Sequence, residues 1–105
     1  MEGFYIIGIY KITKKSNGKA YIGQSNDIER RFSEHKLKRD IPIEIAIKKY
    51  GAEAFDFEVL EECPLEKLDE REQYWIAYFD TYKGNGYNCN IGGGNSRGEN
   101  TVGLP

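Results

Sequence analysis

The dipeptide Asn17-Gly18 lies between two short runs of aromatic and β-branched residues. Asn-Gly is the strongest short-range signal of a β-hairpin, because both residues tolerate the positive φ angles of a tight turn. The runs over residues 4–12 and 20–24 are therefore predicted to be paired antiparallel strands. A loop with an even number of residues would place Tyr10 and Tyr21 on one face of this hairpin, and an odd loop would place them on opposite faces.

Two helices and a third strand are predicted after the hairpin. Asn26 or Asp27 is expected to cap a first helix that ends near Lys38. A second helix, over residues 43–50, is expected to follow Pro42 and to end at a glycine. Apolar and acidic residues then alternate over 55–60, which predicts a third, half-buried strand.

The chain has 105 residues, which is enough for one domain and its hydrophobic core. We predict this domain over residues 1–91 and a Gly-, Asn- and Ser-rich tail or linker over 92–105. No apolar run approaches the roughly 18 residues that a membrane span requires, and the N-terminus has no signal-peptide pattern. An intracellular, cytoplasmic protein without a membrane partner is expected.

The net charge of −2 conceals an uneven distribution of charged residues. Residues 1–50 contain 11 Lys and Arg against 6 Asp and Glu, whereas residues 51–105 contain 4 against 11. A basic half joined to an acidic half is expected if one surface meets an anion such as nucleic acid, although chance clustering of solvated charges would give the same counts.

The chain contains two cysteines and one histidine. This set excludes a disulfide framework, a zinc site built from short-spaced cysteines and a histidine-rich metal centre. Any metal ion would be held mainly by oxygen atoms, which favours magnesium or a similar hard cation.

The longest helix is predicted from Leu65 to about Tyr82. At about 100° per residue, its large apolar side chains fall on one arc and Glu72 lies within that arc. A carboxylate in an apolar stripe is unfavourable unless it is paired, binds a cation or lies at the mouth of a cleft. Glu72 is therefore half of a salt bridge with Arg71 or Lys11, a residue of a stripe whose edge lies one position away, or a functional group.

Arg31 and His35 form an i, i+4 pair beside the apolar face of the first helix. His35 is interpreted either as a core histidine with satisfied hydrogen bonds or as part of a site. A carboxylate for a hard cation, an arginine for a developing phosphate charge and hydroxyl groups to orient water together suit metal-assisted hydrolysis of a phosphodiester.

These residues, in this order, resemble the motifs of the GIY-YIG nuclease family. The motifs are Gly8-Ile9-Tyr10, Tyr21-Ile22-Gly23, Arg31 with His35, Glu72 in Arg-Glu-Gln-Tyr-Trp-Ile, and Asn88 in Gly-Tyr-Asn. The resemblance covers residues 4 to about 91. It implies an α/β (α+β) fold with a small three-stranded antiparallel sheet flanked by helices, and a metal-dependent endonuclease that acts on DNA.

The resemblance also implies roles for the motif residues. Glu72 corresponds to the metal-binding carboxylate, with one Mg²⁺ or Mn²⁺ ion as the cofactor, and Arg31 to the arginine that contacts the scissile phosphate. Tyr10 and Tyr21 match the two motif tyrosines, one of which activates water. Our hypothesis is that Tyr10 is the general base.

Three further positions complete the candidate site. His35 matches a position that holds His or Tyr in the family, and it is the alternative general base. Asn88 is expected to hold the site residues in position without contacting the substrate itself. Lys19 is also expected to support the site. An unperturbed phenol is only about 0.1% ionised at neutral pH and is a poor base, so Lys19, Arg31 and the metal ion are expected to lower the pKa of a tyrosine.

Within the family, the Arg-Glu-Gln-Tyr-Trp-Ile helix and the Gly-Tyr-Asn ending most resemble catalytic domains of phage- and intron-encoded homing endonucleases. Such enzymes carry a separate C-terminal DNA-binding module, so the chain is expected to be a stand-alone nuclease or a catalytic fragment, acting as a monomer or a transient dimer on DNA. A restriction- or repair-type nuclease is one alternative. A non-hydrolysing DNA- or protein-binding module on the same fold is another.

Overall fold

The predicted hairpin forms, with its first strand displaced toward the turn. The computed structural model describes residues 5–92, and here β1 (Gly8–Lys14) pairs antiparallel with β2 (Ala20–Ser25). The prediction of a first strand over 4–12 was wrong at both ends. Residue 4 lies outside the described residues, and 5–7 precede the point where the ladder ends with Gly8 opposite Ser25.

The loop of the hairpin has an even number of residues. The backbone N–H of Lys14 donates to the carbonyl of Lys19 at 2.8 Å, which leaves residues 15–18 as the loop. Tyr10 lies opposite Gly23 in the resulting register. Tyr10 and Tyr21 therefore project from the same face of the hairpin.

A third strand, β3 (Phe55–Glu62), pairs antiparallel with the other side of β1 and gives the order β2-β1-β3. This confirms the three-stranded antiparallel sheet, with β3 longer than the predicted 55–60. The β1–β3 ladder shifts register after Ile9, at a β-bulge. Gly8 permits the close approach of β1 and β3 here, since a Cβ at this position would lie 2.0 Å from the carbonyl oxygen of Glu61.

Two helices connect β2 to β3, as predicted. The first, α1 (Ile28–Leu37), begins after Asp27, whose side chain accepts a hydrogen bond from the backbone N–H of Arg30 at 3.2 Å. The second, α2 (Pro42–Tyr50), begins at a proline and is followed by Gly51. Asp27 rather than Asn26 is thus the N-cap of α1.

The last helix, α3 (Leu68–Phe79), is shorter than the predicted 65–82. Residues 65–67 form a separate 3₁₀ turn. Asp80 ends α3 because it adopts a left-handed conformation with φ of 54°, which aspartate tolerates better than most residues. The chain then turns back, so that Tyr82 forms a parallel β-bridge with Asn88.

The sheet is covered on both faces. One face packs against α1 and α2, and the buried residues there are Tyr10, Ile12, Ile28, Ile43, Ala46, Ile47 and Phe55. The other face packs against α3, and the buried residues there are Ile9, Ile22, Leu68 and Ile76. No helix in residues 5–92 is long and apolar enough to cross a membrane. Cys63 and Cys89 are both free thiols, and apart from Gly92 the predicted tail lies outside the described residues.

Candidate active site

A pocket of about 300 Å³ opens beside β2, one of the two edge strands of the sheet. It is lined by residues from β1, β2, α1, the start of α2, α3 and the segment after α3. The predicted site residues among them are Tyr10, Tyr21, Arg31, Glu72 and Asn88. Residues far apart in the sequence therefore meet here, while His35 lies behind Tyr10 and Lys19 lies outside the lining.

Tyr10 is held in place by tight packing on three sides. Its side chain is 1% exposed, and its ring meets the rings of Phe32 and His35 with centroids 5.2 and 5.7 Å away. On the sheet side it lies against Gly23, where a Cβ would come within 2.4 Å of the phenol Cζ and oxygen. Gly23, the glycine of the Tyr21-Ile22-Gly23 motif, thus leaves the space that the ring of Tyr10 occupies.

The Tyr10 hydroxyl begins a buried chain of hydrogen bonds. Its oxygen lies 2.7 Å from Nε2 of His35, and Nδ1 of His35 lies 2.8 Å from Oε2 of Glu44. His35 is 0% exposed and Glu44 2%. His35 is therefore a core histidine with satisfied hydrogen bonds, and one of its partners is the motif tyrosine Tyr10.

Glu44 was not predicted from the sequence. On a helical wheel, Glu44 lies about 60° beyond Ile47, outside the arc that Ile43, Ala46 and Ile47 form. Glu72 lies within the apolar arc of α3, so the wheel gives no comparable signal for Glu44.

Burial dominates the ionisation of the two tyrosines. It raises the pKa of Tyr10 well above the ordinary value, and it raises the pKa of Tyr21 to about 12, with the negative charge of Glu72 as the next cause. Arg31 opposes both shifts and is outweighed. Of the cations expected to lower a tyrosine pKa, Arg31 acts in that direction on both tyrosines, and the Nζ of Lys19 lies over the ring of Tyr87, 5.0 Å from its centroid.

Burial also lowers the pKa of His35, although the hydrogen bond to Glu44 acts in the opposite direction. The imidazole ring is therefore neutral at neutral pH. In that form one ring nitrogen carries a hydrogen and the other is an acceptor.

Arg31 presents a cation at the pocket. Its side chain is 29% exposed, and one guanidinium nitrogen, Nη1, donates to Oε1 of Glu34 at 3.0 Å. This contact orients the planar group, whose geometry suits the paired oxygen atoms of a phosphate.

Glu72 is on the buried face of α3, as the helical wheel predicted, and is 8% exposed. Its Oε1 accepts a hydrogen bond of 2.8 Å from Nε2 of Gln24, which also donates to Oδ1 of Asp69 at 2.8 Å. Gln24 thus fixes the carboxylate from β2, and the sequence offered no signal for it. Of the salt-bridge partners considered for Glu72, Arg71 binds Glu61 at 2.8 Å and Lys11 lies over a phenylalanine ring.

The described part of the chain contains no group of three or more His, Cys, Asp and Glu residues that could hold a metal ion. The pocket lining nevertheless includes oxygen-bearing side chains beside one another, the carboxylate of Glu72 and the amide of Gln24. Mg²⁺ commonly binds through one or two carboxylates, waters and the phosphate of a substrate. The donors present therefore fit a hard divalent cation held by Glu72.

The side chain of Asn88 forms hydrogen bonds with the backbone of β2 at the edge of the sheet. Its Oδ1 accepts from the backbone N–H of Ile22 at 2.8 Å, and its Nδ2 donates to the carbonyl of Ile22 at 2.9 Å. The hydroxyl of Thr81 donates to the same Oδ1 at 2.7 Å. The side-chain amide thus pairs with β2 as a neighbouring strand would, and it fixes the backbone beside Tyr21.

Comparison with known proteins gives consistent results. The GIY-YIG catalytic domain family matches residues 6–88. Intron-associated endonuclease 1 of Enterobacteria phage T4 is 37% identical over 89 residues, or 77% of this chain and 36% of that protein, so the chain spans about a third of its curated relative.

Two solved structures of the catalytic domain of homing endonuclease I-TevI have the same fold. One has a TM-score of 0.69 at 33% identity and covers 80% of this chain and 98% of that domain. The other, of a mutant, has a TM-score of 0.71 at 34% identity, with 82% and 95% covered. Because its motifs occur in the family's order, its sheet has three strands and the family matches most of its length, this chain belongs to the GIY-YIG catalytic domain family.

Proposed function

We propose that this domain is a DNA endonuclease of the homing-endonuclease type, which hydrolyses phosphodiester bonds with one bound Mg²⁺ or Mn²⁺ ion. The observation that supports this most strongly is the convergence of Tyr10, Tyr21, Arg31 and Glu72 on one pocket from four elements of the fold. Hydrolysis of a phosphodiester requires a cation near the phosphate, a positioned water and a group that accepts a proton.

Each side chain has a role in this scheme. Glu72 holds the ion, which when bound would polarise a phosphoryl oxygen and help to neutralise developing negative charge. Arg31 binds the same phosphate from α1 and stabilises the charge that builds up in the transition state. Tyr21 lines the pocket beside them and orients water through its hydroxyl.

Tyr10 is favoured over His35 as the group that takes the proton from water. Tyr10 lines the pocket, whereas His35 is 0% exposed and is not part of the lining. A general base must lie within hydrogen-bond reach of the proton it removes.

DNA is the proposed partner, and the basic side chains of α1 and α2 are suited to its phosphates. Exposed basic residues on and between these helices are Arg30, Lys36, Lys38, Arg39, Lys48 and Lys49. The longer phage relative leads us to propose that a separate DNA-binding module works with this domain, in an intracellular protein. One metal site per domain implies cleavage of one strand at a time, by a monomer or a transient dimer.

Nicking of supercoiled plasmid tests the proposal. With Mg²⁺ the protein should produce open circles, EDTA should abolish the reaction, and Glu72→Gln should lower the rate at least about 100-fold. Glu70→Gln is the matched control, because Glu70 is an exposed carboxylate on the same helix; it should cleave normally. DNA binding without cleavage would favour the non-hydrolysing module, and equal loss in both variants would contradict the role of Glu72.

A further inference from the structure

We propose that Glu44 is a positioning residue for the reaction: it holds His35 in the tautomer whose Nε2 accepts the proton of the Tyr10 hydroxyl. The proposal rests on the proposed nuclease function, in which Tyr10 receives a proton from the attacking water. It assigns a role in that step to α2, which contributes Pro42 to the pocket lining but none of the motif residues.

The hydrogen-bond partners of Glu44 and His35 support one placement of the hydrogens. Oε1 of Glu44 accepts from the backbone N–H of Asp40 at 2.9 Å, and Oε2 lies 2.8 Å from Nδ1 of His35. If Oε2 also accepts, Nδ1 carries the ring hydrogen and Nε2 of the neutral ring is an acceptor. The Tyr10 hydroxyl, 2.7 Å from Nε2, then donates to His35.

This arrangement solves the difficulty posed by a buried phenol. Because burial raises the pKa of Tyr10, a free phenolate is rare before the reaction. A neutral phenol that donates to His35 can still accept a proton on its oxygen, provided that its own proton leaves at the same time. His35 supplies the place for that proton, and Glu44 stabilises the imidazolium that results.

The proton transfers balance. The O–H bond of water breaks as its oxygen forms a bond to phosphorus, and the proton goes to the oxygen of Tyr10. The original phenolic proton moves to Nε2 of His35. The leaving oxygen departs with the electron pair of its bond to phosphorus and takes a proton from solvent. After release of the product, the extra proton returns from His35 through Tyr10 to water, and the site is restored.

A simpler role for the His35–Glu44 pair is to tie α1 to α2. Glu44→Gln separates the two roles, because glutamine has nearly the same shape but one acceptor and one donor at its end. If its oxygen keeps the bond to Asp40, its NH₂ group donates to Nδ1. The ring then carries its hydrogen on Nε2 and donates to Tyr10, so it cannot accept the phenolic proton.

Nitrogen NMR of the imidazole ring reads the tautomer directly, since the chain contains one histidine. In ¹⁵N-histidine-labelled protein at neutral pH, Nδ1 should give the protonated-type shift and Nε2 the unprotonated-type shift. Glu44→Gln should exchange the two. This measurement needs no DNA or metal ion, so it stands apart from the test of nuclease function. A wild-type ring protonated on Nε2, or an unchanged tautomer in Glu44→Gln, would overturn the proposal.

Nicking kinetics supply the functional half of the test. Glu44→Gln should lower kcat about 100-fold or more while KM for DNA stays within a factor of about two, as expected for a defect in proton transfer. Ala46→Gly is the matched control, because it weakens the same helix without touching the relay and should keep the wild-type kcat. A normal kcat in Glu44→Gln despite an exchanged tautomer would refute the proposal. An equal loss of kcat in Glu44→Gln and Ala46→Gly would also refute it, because Glu44 would then have only a structural role.

Discussion

Gly23→Ala should damage the site through packing alone. The added methyl group would lie 2.4 Å from the ring of Tyr10, whereas ordinary contact begins at 3.4 Å. The ring or β2 must therefore move by about 1 Å, and overpacking of this kind lowers the free energy of unfolding by about 1–3 kcal/mol. The ring has little freedom to retreat, because Phe32 and His35 pack behind it. Displacement by about 1 Å typically lowers a catalytic rate about 100-fold.

Single-turnover nicking of supercoiled plasmid measures the rate, and urea titration measures the loss of stability. Gly84→Ala is the matched control, since a Cβ at Gly84 meets nothing within 4 Å. We expect Gly84→Ala to behave as wild type. In the absence of urea, where most of the protein is folded, Gly23→Ala should nick about 100-fold more slowly than wild type. Wild-type nicking by Gly23→Ala would show that the position of the Tyr10 ring does not govern the rate.

Three further predictions concern the general base, the sheet edge and the buried histidine. Tyr10→Phe should abolish nicking while Mn²⁺ binding, followed by electron paramagnetic resonance, stays unchanged; near-normal nicking would refute Tyr10 as the base. Asn88→Ala should lower the free energy of unfolding in urea by about 2–4 kcal/mol, because it removes the partners of two backbone groups of Ile22, and Asn90→Ala should lower it far less. Stability should also fall as the pH drops below 6.5, because burial keeps the pKa of His35 below that value and the unfolded chain then binds a proton that the folded protein does not. The urea midpoint of His35→Gln should lack this slope below about pH 6.5, and an equal slope in both proteins would assign the effect to other groups.

The elements that carry local signals were predictable from the sequence. Asn17-Gly18 identified the hairpin, and Glu72 stood out because a carboxylate interrupts an apolar arc. The order of the motifs pointed to the family. The end of α3 was not predictable in this way, because aspartate is compatible with a helix interior and nothing next to Asp80 in the sequence indicates its left-handed conformation or the bridge from Tyr82 to Asn88.

Contacts between distant segments account for what the sequence did not reveal. Gln24 is an ordinary polar residue on a strand until α3 brings Glu72 and Asp69 beside it. The pKa of a tyrosine depends on how deeply its ring is buried, and nearby cations such as Arg31 are only a smaller influence. The position of Lys19 is of the same kind: it lies outside the pocket lining, with its Nζ over the ring of Tyr87.

The contacts that Asn88 and Tyr87 make with β2 have a consequence for association between molecules. Together they occupy the carbonyl of Ala20 and both backbone groups of Ile22, which are the groups that an edge strand offers to another strand. Uncovered edges of this kind promote aggregation between sheets. A form of the protein shortened to end before Tyr87 would expose this edge, and self-association through β2 would accompany any loss of activity.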